Sequence, residues 1–442
     1  MDLSINKIFQ YFLFLIIIFT TVFNGGNSNL SIQLNFILIS IFFLICIKNK
    51  KYYAHLRYFF YYNKTSILFY LIFLLYILFQ IIPLNQTFLQ LFSPQKYYLL
   101  SQITGVPINQ SLSLMPSNTF YQLLNFISLF LIILILKMIF YNQRHLLRFL
   151  FFLSAFGAFV SSVAVLFYLN GNPDFYFIKN SHNKFSASGF FTNRTVFCVF
   201  LIFSLISSFE ILKLKKFYKR NSNQNFFLRI YVRLFLILIC IGIITSFSRV
   251  GNFLLIIVIL FYFLSSIKNN DNKSFVYLLY VIIVFDIIIL GFYFGLPKLI
   301  ERFNFLQNEF SYVADENIGL NRINLIKFSI IQIKDYFLFG YGGGSFETLF
   351  QIKYENLKFS YADHSHTDLF EYFGEYGLIG SLIFLCSIFK FLRSNSTYSM
   401  VNILILVMFC IIFIFDFSLH VPIIQILFVK FLILFKLKQY KN

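Results

Sequence analysis

Residues 319–380 read GLNRINLIKFSIIQIKDYFLFGYGGGSFETLFQIKYENLKFSYADHSHTDLFEYFGEYGLIG. One Arg, several Lys, four Gly within five residues, a His-Ser-His and a run of carboxylates crowd this interval. Most of the remaining chain is apolar. The 442 residues are 59% hydrophobic and only 12% charged, with a mean hydropathy of +0.77. Soluble domains carry about 25% charged residues. The chain therefore reads as an all-α integral membrane protein, and its chemistry is sought in the polar interval.

A spanning helix needs about 20 mostly apolar residues. That rule predicts about twelve transmembrane helices: 8–23, 30–47, 66–83, 119–140, 149–169, 195–212, 230–247, 252–267, 275–296, 377–392, 400–419 and 421–436. The start, MDLSINK, carries one Lys and no small-residue cleavage site, so the first span is expected to be uncleaved. The net charge of +19 falls in the loops 48–64, 142–148, 213–220 and 268–273, at Arg393 and in the tail. By the positive-inside rule both termini are cytoplasmic, and the charge predicts no nucleic-acid partner. Loops 84–118, 170–194 and 297–376, with the Ser248–Gly251 hairpin, then face the periplasm. Residues 1–442 form one membrane domain, with the long loop 297–376 between the ninth and tenth helices.

Tyr (29 residues, with no Trp) supplies the interfacial belt. Cys46, Cys198, Cys240, Cys386 and Cys410 lack metal or redox spacing and read as small core residues. Loop 84–118 holds Pro94, Pro107 and Pro116 and reads as irregular, with short interfacial helices. Within the long loop, Ile323, Ile326, Ile330, Ile333 and Phe337 recur at helical spacing, which predicts an amphipathic helix on the membrane surface. Gly340 and Gly342–Gly344 end it.

Arg194, Arg249 and Arg322 lie at or near the outer ends of apolar segments, where the positive-inside bias disfavours them. Guanidinium forks bind phosphate oxygens, so the set suggests a phosphorylated lipid or a diphosphate leaving group; snorkelling to headgroups is the blander account. His364 and His366 stand beside Asp363, Asp368, Glu371 and Glu375. A neutral imidazole suits deprotonation of a hydroxyl. The His-x-His spacing also admits a metal or an inert surface pair, and no third-ligand pattern supports the metal. Asp286 and Asp416, in or near spans, are functional candidates by position.

SFSRVG (246–251), NRINLIKFSIIQIKDYFLFGYGGGSF (321–346) and HSHTDLFEYFGEYGLIG (364–380) together resemble the O-antigen ligase and polymerase family of bacterial membrane glycosyltransferases. SLMPSNT (113–119), GFFTNR (189–194) and DFSLHVP (416–422) are weaker echoes. The sequence departs from the family pattern at Thr367, where Asn is usual, and at Tyr341-Gly342-Gly343-Gly344. The resemblance implies transfer of a glycan from undecaprenyl diphosphate on the outer face of the inner membrane, with inversion and without metal or other cofactor. It implies that Arg249 and Arg322 clamp the diphosphate, with Arg194 a third, and that His366 orients or deprotonates the acceptor hydroxyl. His364, Gly342, Gly344 and Glu375 join them as substrate-binding residues. The acceptor is lipid A-core or another lipid-linked glycan, in lipopolysaccharide or surface polysaccharide biosynthesis. A flippase or transporter of lipid-linked sugar and a protein O-oligosaccharyltransferase are the other readings.

Overall fold

A computed structural model of the chain describes residues 2–102, 109–140, 143–174, 186–213, 223–268, 281, 322–354, 362–393 and 399–437. These residues are almost entirely helical. The helices are α1 (Asp2–Val22), α2 (Asn29–Ile47), α3 (Lys50–Tyr62), α4 (Lys64–Ile81), α5 (Gln86–Phe92), α6 (Pro94–Ser101), α7 (Pro116–Ile139) and α8 (Gln143–Leu169). They continue with α9 (Arg194–Lys213), α10 (Asn223–Thr245), α11 (Arg249–Lys268), α12 (Arg322–Asp335), α13 (Phe346–Lys353), α14 (Asp368–Arg393), α15 (Met400–Phe415) and α16 (Pro422–Leu437). The extended pairing among the described residues is one antiparallel bridge, Leu84 with Gln110.

Eight of these helices are long and apolar enough to cross a membrane, and Lys7–Val22, Met400–Phe415 and Pro422–Ile433 are shorter apolar helices. Apart from Val281, the expected span 275–296 with its Asp286 lies outside the described residues, as do residues 297–321 and 355–361 of the long loop and Pro107. α9 is the centre: Thr195 through Leu212 are all buried, as a helix apolar on every side must be. It packs against α8, α10, α11 and α16. Around it, Leu15, Ile37, Leu44, Leu68, Leu75, Phe159 and Ile256 point away from the protein, where lipid tails suit them as well as a core does. Cys386 and Cys410 are among the outward residues, against expectation, while Cys46, Cys198 and Cys240 are buried. An apolar thiol in a spanning helix has no reason to choose core over lipid.

Three sequence expectations change. Lys50–Tyr62, expected as a loop, is the amphipathic α3, with Tyr52, Leu56 and Phe59 turned inward. The hairpin turn lies one step earlier than Ser248–Gly251: Phe247 takes φ +53°, and Arg249 already opens α11. Ser248 caps that helix, its Oγ accepting from Gly251 N at 3.2 Å. The expected span 400–419 stops at Phe415, because Asp416 and Ser418 turn the chain into a short 3-10 segment, Ser418–His420. α12 buries Leu325, Phe328, Ser329 and Gln332, on the side away from the isoleucine stripe. Its inward face joins Tyr336, Tyr341, Phe346, Leu349 and Phe350 in a small separate core. Ile330 and Phe337 face outward, the side a membrane surface would cover.

The polar interval is fastened to the bundle by backbone. Gly377 interrupts α14 at φ +61° and ψ −174°, a conformation that glycine supplies without a Cβ penalty. The segment ending α12 runs alongside this kink. Tyr341 N donates to Gly374 O (3.0 Å), Gly342 N to Glu375 O (3.0 Å) and Leu378 N to Phe337 O (2.8 Å). A methyl on Gly340 would collide with the Glu375 carbonyl, and one on Gly377 with Gly340 N. From α4, Tyr76 Oη donates to Tyr376 O and Phe339 O, both 2.8 Å, and Gln80 Nε2 donates to Glu375 O and Phe339 O. These donors satisfy carbonyls that the kink frees, as buried backbone requires.

Candidate active site

The kink and the turn after α15 bring four pieces of chain together at one end of the bundle. They are the loop Ala362–Thr367, the first two turns of α14, the turn Asp416–His420 and the glycine loop 340–345. Asp368 N donates to Asp416 O at 2.8 Å, which seats the start of α14 on that turn.

Asp368, Glu371 and Glu375 lie on neighbouring positions of α14, all buried. Buried carboxylates need partners. His420 Nδ1 pairs with Asp368 Oδ1, and Leu419 N donates to Asp368 Oδ2 at 2.9 Å. Glu371 Oε1 lies 2.6 Å from His364 Nδ1, while its Oε2 accepts from Ser365 N (2.8 Å) and Ser365 Oγ (3.1 Å). Glu375 Oε1 accepts from Gly344 N at 2.7 Å. Phe417 fills the space between the histidines, stacked on His364 at 4.5 Å and edge-on to His366 at 5.2 Å.

The two histidines of the His-x-His are shifted in opposite directions. Burial works against charge at His364, but Glu371 outweighs it and raises its pKa above the ordinary value. His366 is pushed down to about 4, by burial first and then by the Arg322 guanidinium. It is therefore a neutral imidazole at pH 7, able to accept a proton. Its backbone has φ +60°, a left-handed conformation uncommon for a residue with a side chain. Such strain survives only when the surroundings enforce it. Here Ser365 and Asp368, on either side, are both tied down.

Each of the three arginines opens a helix: Arg194 α9, Arg249 α11 and Arg322 α12. A helix start presents free N–H groups and the positive end of the dipole, so a guanidinium there adds to an anion-attracting position. Ser248 Oγ donates to Thr195 Oγ1 at 3.1 Å, which sets the starts of α9 and α11 side by side. A methyl on Gly251 would meet Cys198 of α9. The Arg322 charge acts on both His366 and Asp416; the Arg194 and Asp416 charges both act on Cys198. Asp416 bonds Ser418 through Oδ2, while Oδ1 is buried without a hydrogen-bond partner. Its pKa is raised by burial, partly offset by Ser418 and Arg322.

The fold thus brings together Arg322, His366, His364, Glu375 and Gly344, and joins Arg194 to the Arg249 turn. Gly342 is buried and takes φ +100°, shaping the loop that presents Gly344. Neither histidine of the His-x-His belongs to the one group of three His, Cys, Asp or Glu whose ligand-type atoms lie within 4.8 Å of one another among the described residues; that group is Glu371, Glu375 and His420. His420 had no role in the sequence reading. Its signal was faint, a polar DFSLH interrupting two apolar runs.

Residues 234–385, about a third of the chain, match the family model described as O-antigen ligase. The matched segment belongs to the O-antigen ligase family. It contains Arg249, Arg322, Gly342, Gly344, His364, His366 and Glu375, whereas Arg194, Asp416 and His420 lie outside it. A comparison with curated proteins returns no match. The match and the eight helices long and apolar enough to cross a membrane agree with a multi-pass membrane protein of the glycan-ligase type.

Proposed function

We propose that the protein transfers a glycan from undecaprenyl diphosphate to an acceptor hydroxyl on the periplasmic face of the inner membrane. The acceptor hydroxyl attacks the anomeric carbon, its proton passes to a ring nitrogen of His366, and the bond from that carbon to the diphosphate oxygen breaks with inversion. The departing electron pair stays on the diphosphate. Arg322 and Arg249, with Arg194, stabilise that developing charge, the electrostatic strategy suited to such steps.

The observation that carries this reading is the neutral His366 beside Arg322, a base adjoining an anion-binding cation inside the ligase-family segment. A positively charged histidine there would have repelled the proton it is meant to take. The reaction needs no metal in this account, because arginines and helix starts supply the positive charge. Both termini are cytoplasmic, and the acceptor is lipid A-core or another lipid-linked glycan.

Purified protein in detergent, given a lipid-linked donor and an acceptor, tests this directly. Glycosylated acceptor and free undecaprenyl diphosphate should appear together, and Arg249→Ala should abolish both while the protein remains folded. A flippase would give no covalent product, and its finding would end the proposal.

A further inference from the structure

His420 is 3% exposed and lies on the turn between α15 and α16, outside the ligase-family match. Its Nδ1 is fixed by Asp368 and its ring is stacked 4.3 Å from Tyr372. The opposite atom, Nε2, is buried without a hydrogen-bond partner. It lies 3.6 Å from Glu371 Oε1 and 3.6 Å from Glu375 Oε2. Glu375 Oε2 also has no hydrogen-bond partner. Two carboxylates four residues apart on one helix repel unless a cation stands between them.

Each carboxylate holds a different loop. Glu371 grips the backbone and hydroxyl of Ser365, next to His366. Glu375 grips Gly344 N in the glycine loop. We propose that His420 is a positioning residue: as an imidazolium between Glu371 and Glu375, it locks the histidine loop and the glycine loop to each other across the start of α14. This rests on the glycosyl-transfer reading for its consequence, but the geometry it asserts is independent of turnover. Losing the lock lets His366 leave its strained backbone conformation, and misplacement by about 1 Å costs about 100-fold in rate.

Hydrogen exchange on the purified full chain tests the lock without needing a reaction. In His420→Gln, peptides containing the Gly344 and Ser365 amides should both exchange at least about tenfold faster, while α9 stays protected. Transfer should lose about 100-fold in kcat with the donor KM changed less than about threefold. Adding Glu375→Gln keeps an oxygen for Gly344 N and removes the uncompensated charge. The double variant should therefore recover at least about tenfold in kcat, and protection in the glycine loop with it.

Unchanged exchange in either loop overturns the proposal, and so does loosening that spreads into α9. Loss of protection in the wild type on adding EDTA would put a divalent cation in place of the proton, which also overturns it. If wild-type protein makes no product, the functional reading fails, while the exchange result still decides the lock.

Discussion

At the scale of single residues, the account rests on His366 being neutral and Arg322 being a phosphate ligand. His366→Ala should lower transfer by about 10²–10⁴-fold, the usual contribution of a general base. Arg322→Lys keeps the charge but loses the planar fork; it should cost about 10²–10³-fold, comparable with removing one donor to a developing anion. Both are read as product formed per minute in detergent. Arg322→Gln should also raise the His366 pKa from about 4 towards the ordinary value, because one of its two main depressing influences is removed. Titration of the imidazole by NMR checks this, and an unmoved value would separate the two residues. The sign for stability follows. A histidine held low costs stability as pH falls below about 6.5, since the unfolded chain binds the proton first. His364 and His420, both raised, contribute stability that is present below about 6.5 and lost as pH climbs through their folded values. Arg322, His364 and His366 were legible because polar side chains stand out in an apolar chain. The opposite shifts of the two histidines were not, since they depend on Glu371 and Arg322 arriving from different helices.

At the scale of elements, the decisive feature is the seam between the end of α12 and the kink of α14. Gly377→Ala places a methyl on a backbone at φ +61° and ψ −174°, a region essentially reserved for glycine, at about 1–3 kcal/mol, and against Gly340 N besides. A melting temperature in detergent should fall, and transfer should fall with it, since the same seam positions Gly344 and Glu375. An unchanged melt would mean that the seam is not closed in solution. The sequence located α12 by its isoleucine spacing and set that stripe on a membrane surface, but left the packed face unread. Isoleucine at helical spacing marks an apolar face without saying whether lipid or protein covers it. Leu325 and Phe328, on the other side, proved to be the packed ones. Likewise the turn at Phe247 and the break at Asp416 depend on serine and aspartate bonding to backbone, which shifts an element end by several residues without altering its hydropathy.

At the scale of the whole molecule, apolar length located the eight helices long and apolar enough to cross a membrane among the described residues, because each must be long enough whatever it packs against. It could not rank them. α9, enclosed on all sides, and α2, with Ile37, Ile41 and Leu44 facing out, differ little in mean hydropathy, 2.2 against 2.5. What the assembled bundle adds is convergence: the starts of α9 and α11, carrying Arg194 and Arg249, sit side by side, and the start of α14, with Asp368, meets the Asp416–His420 turn that α9 also packs against. Positive charge there comes from arginines, helix starts and a protonated histidine, so transfer should run at an unchanged rate in EDTA. A rate that collapses in chelator and returns with a divalent cation would assign the Glu371–Glu375–His420 triangle to a metal instead.

The most direct test of the central claim is a gel of the host's lipopolysaccharide after deletion of the gene, with rescue by wild type or by His366→Ala. The account predicts that deletion shortens or strips the glycan ladder: core with a single repeat for a polymerase, bare core for a ligase. Wild type should restore the ladder and His366→Ala, present in the membrane at the same level, should not. Full restoration by His366→Ala would contradict the claim that this histidine takes the proton.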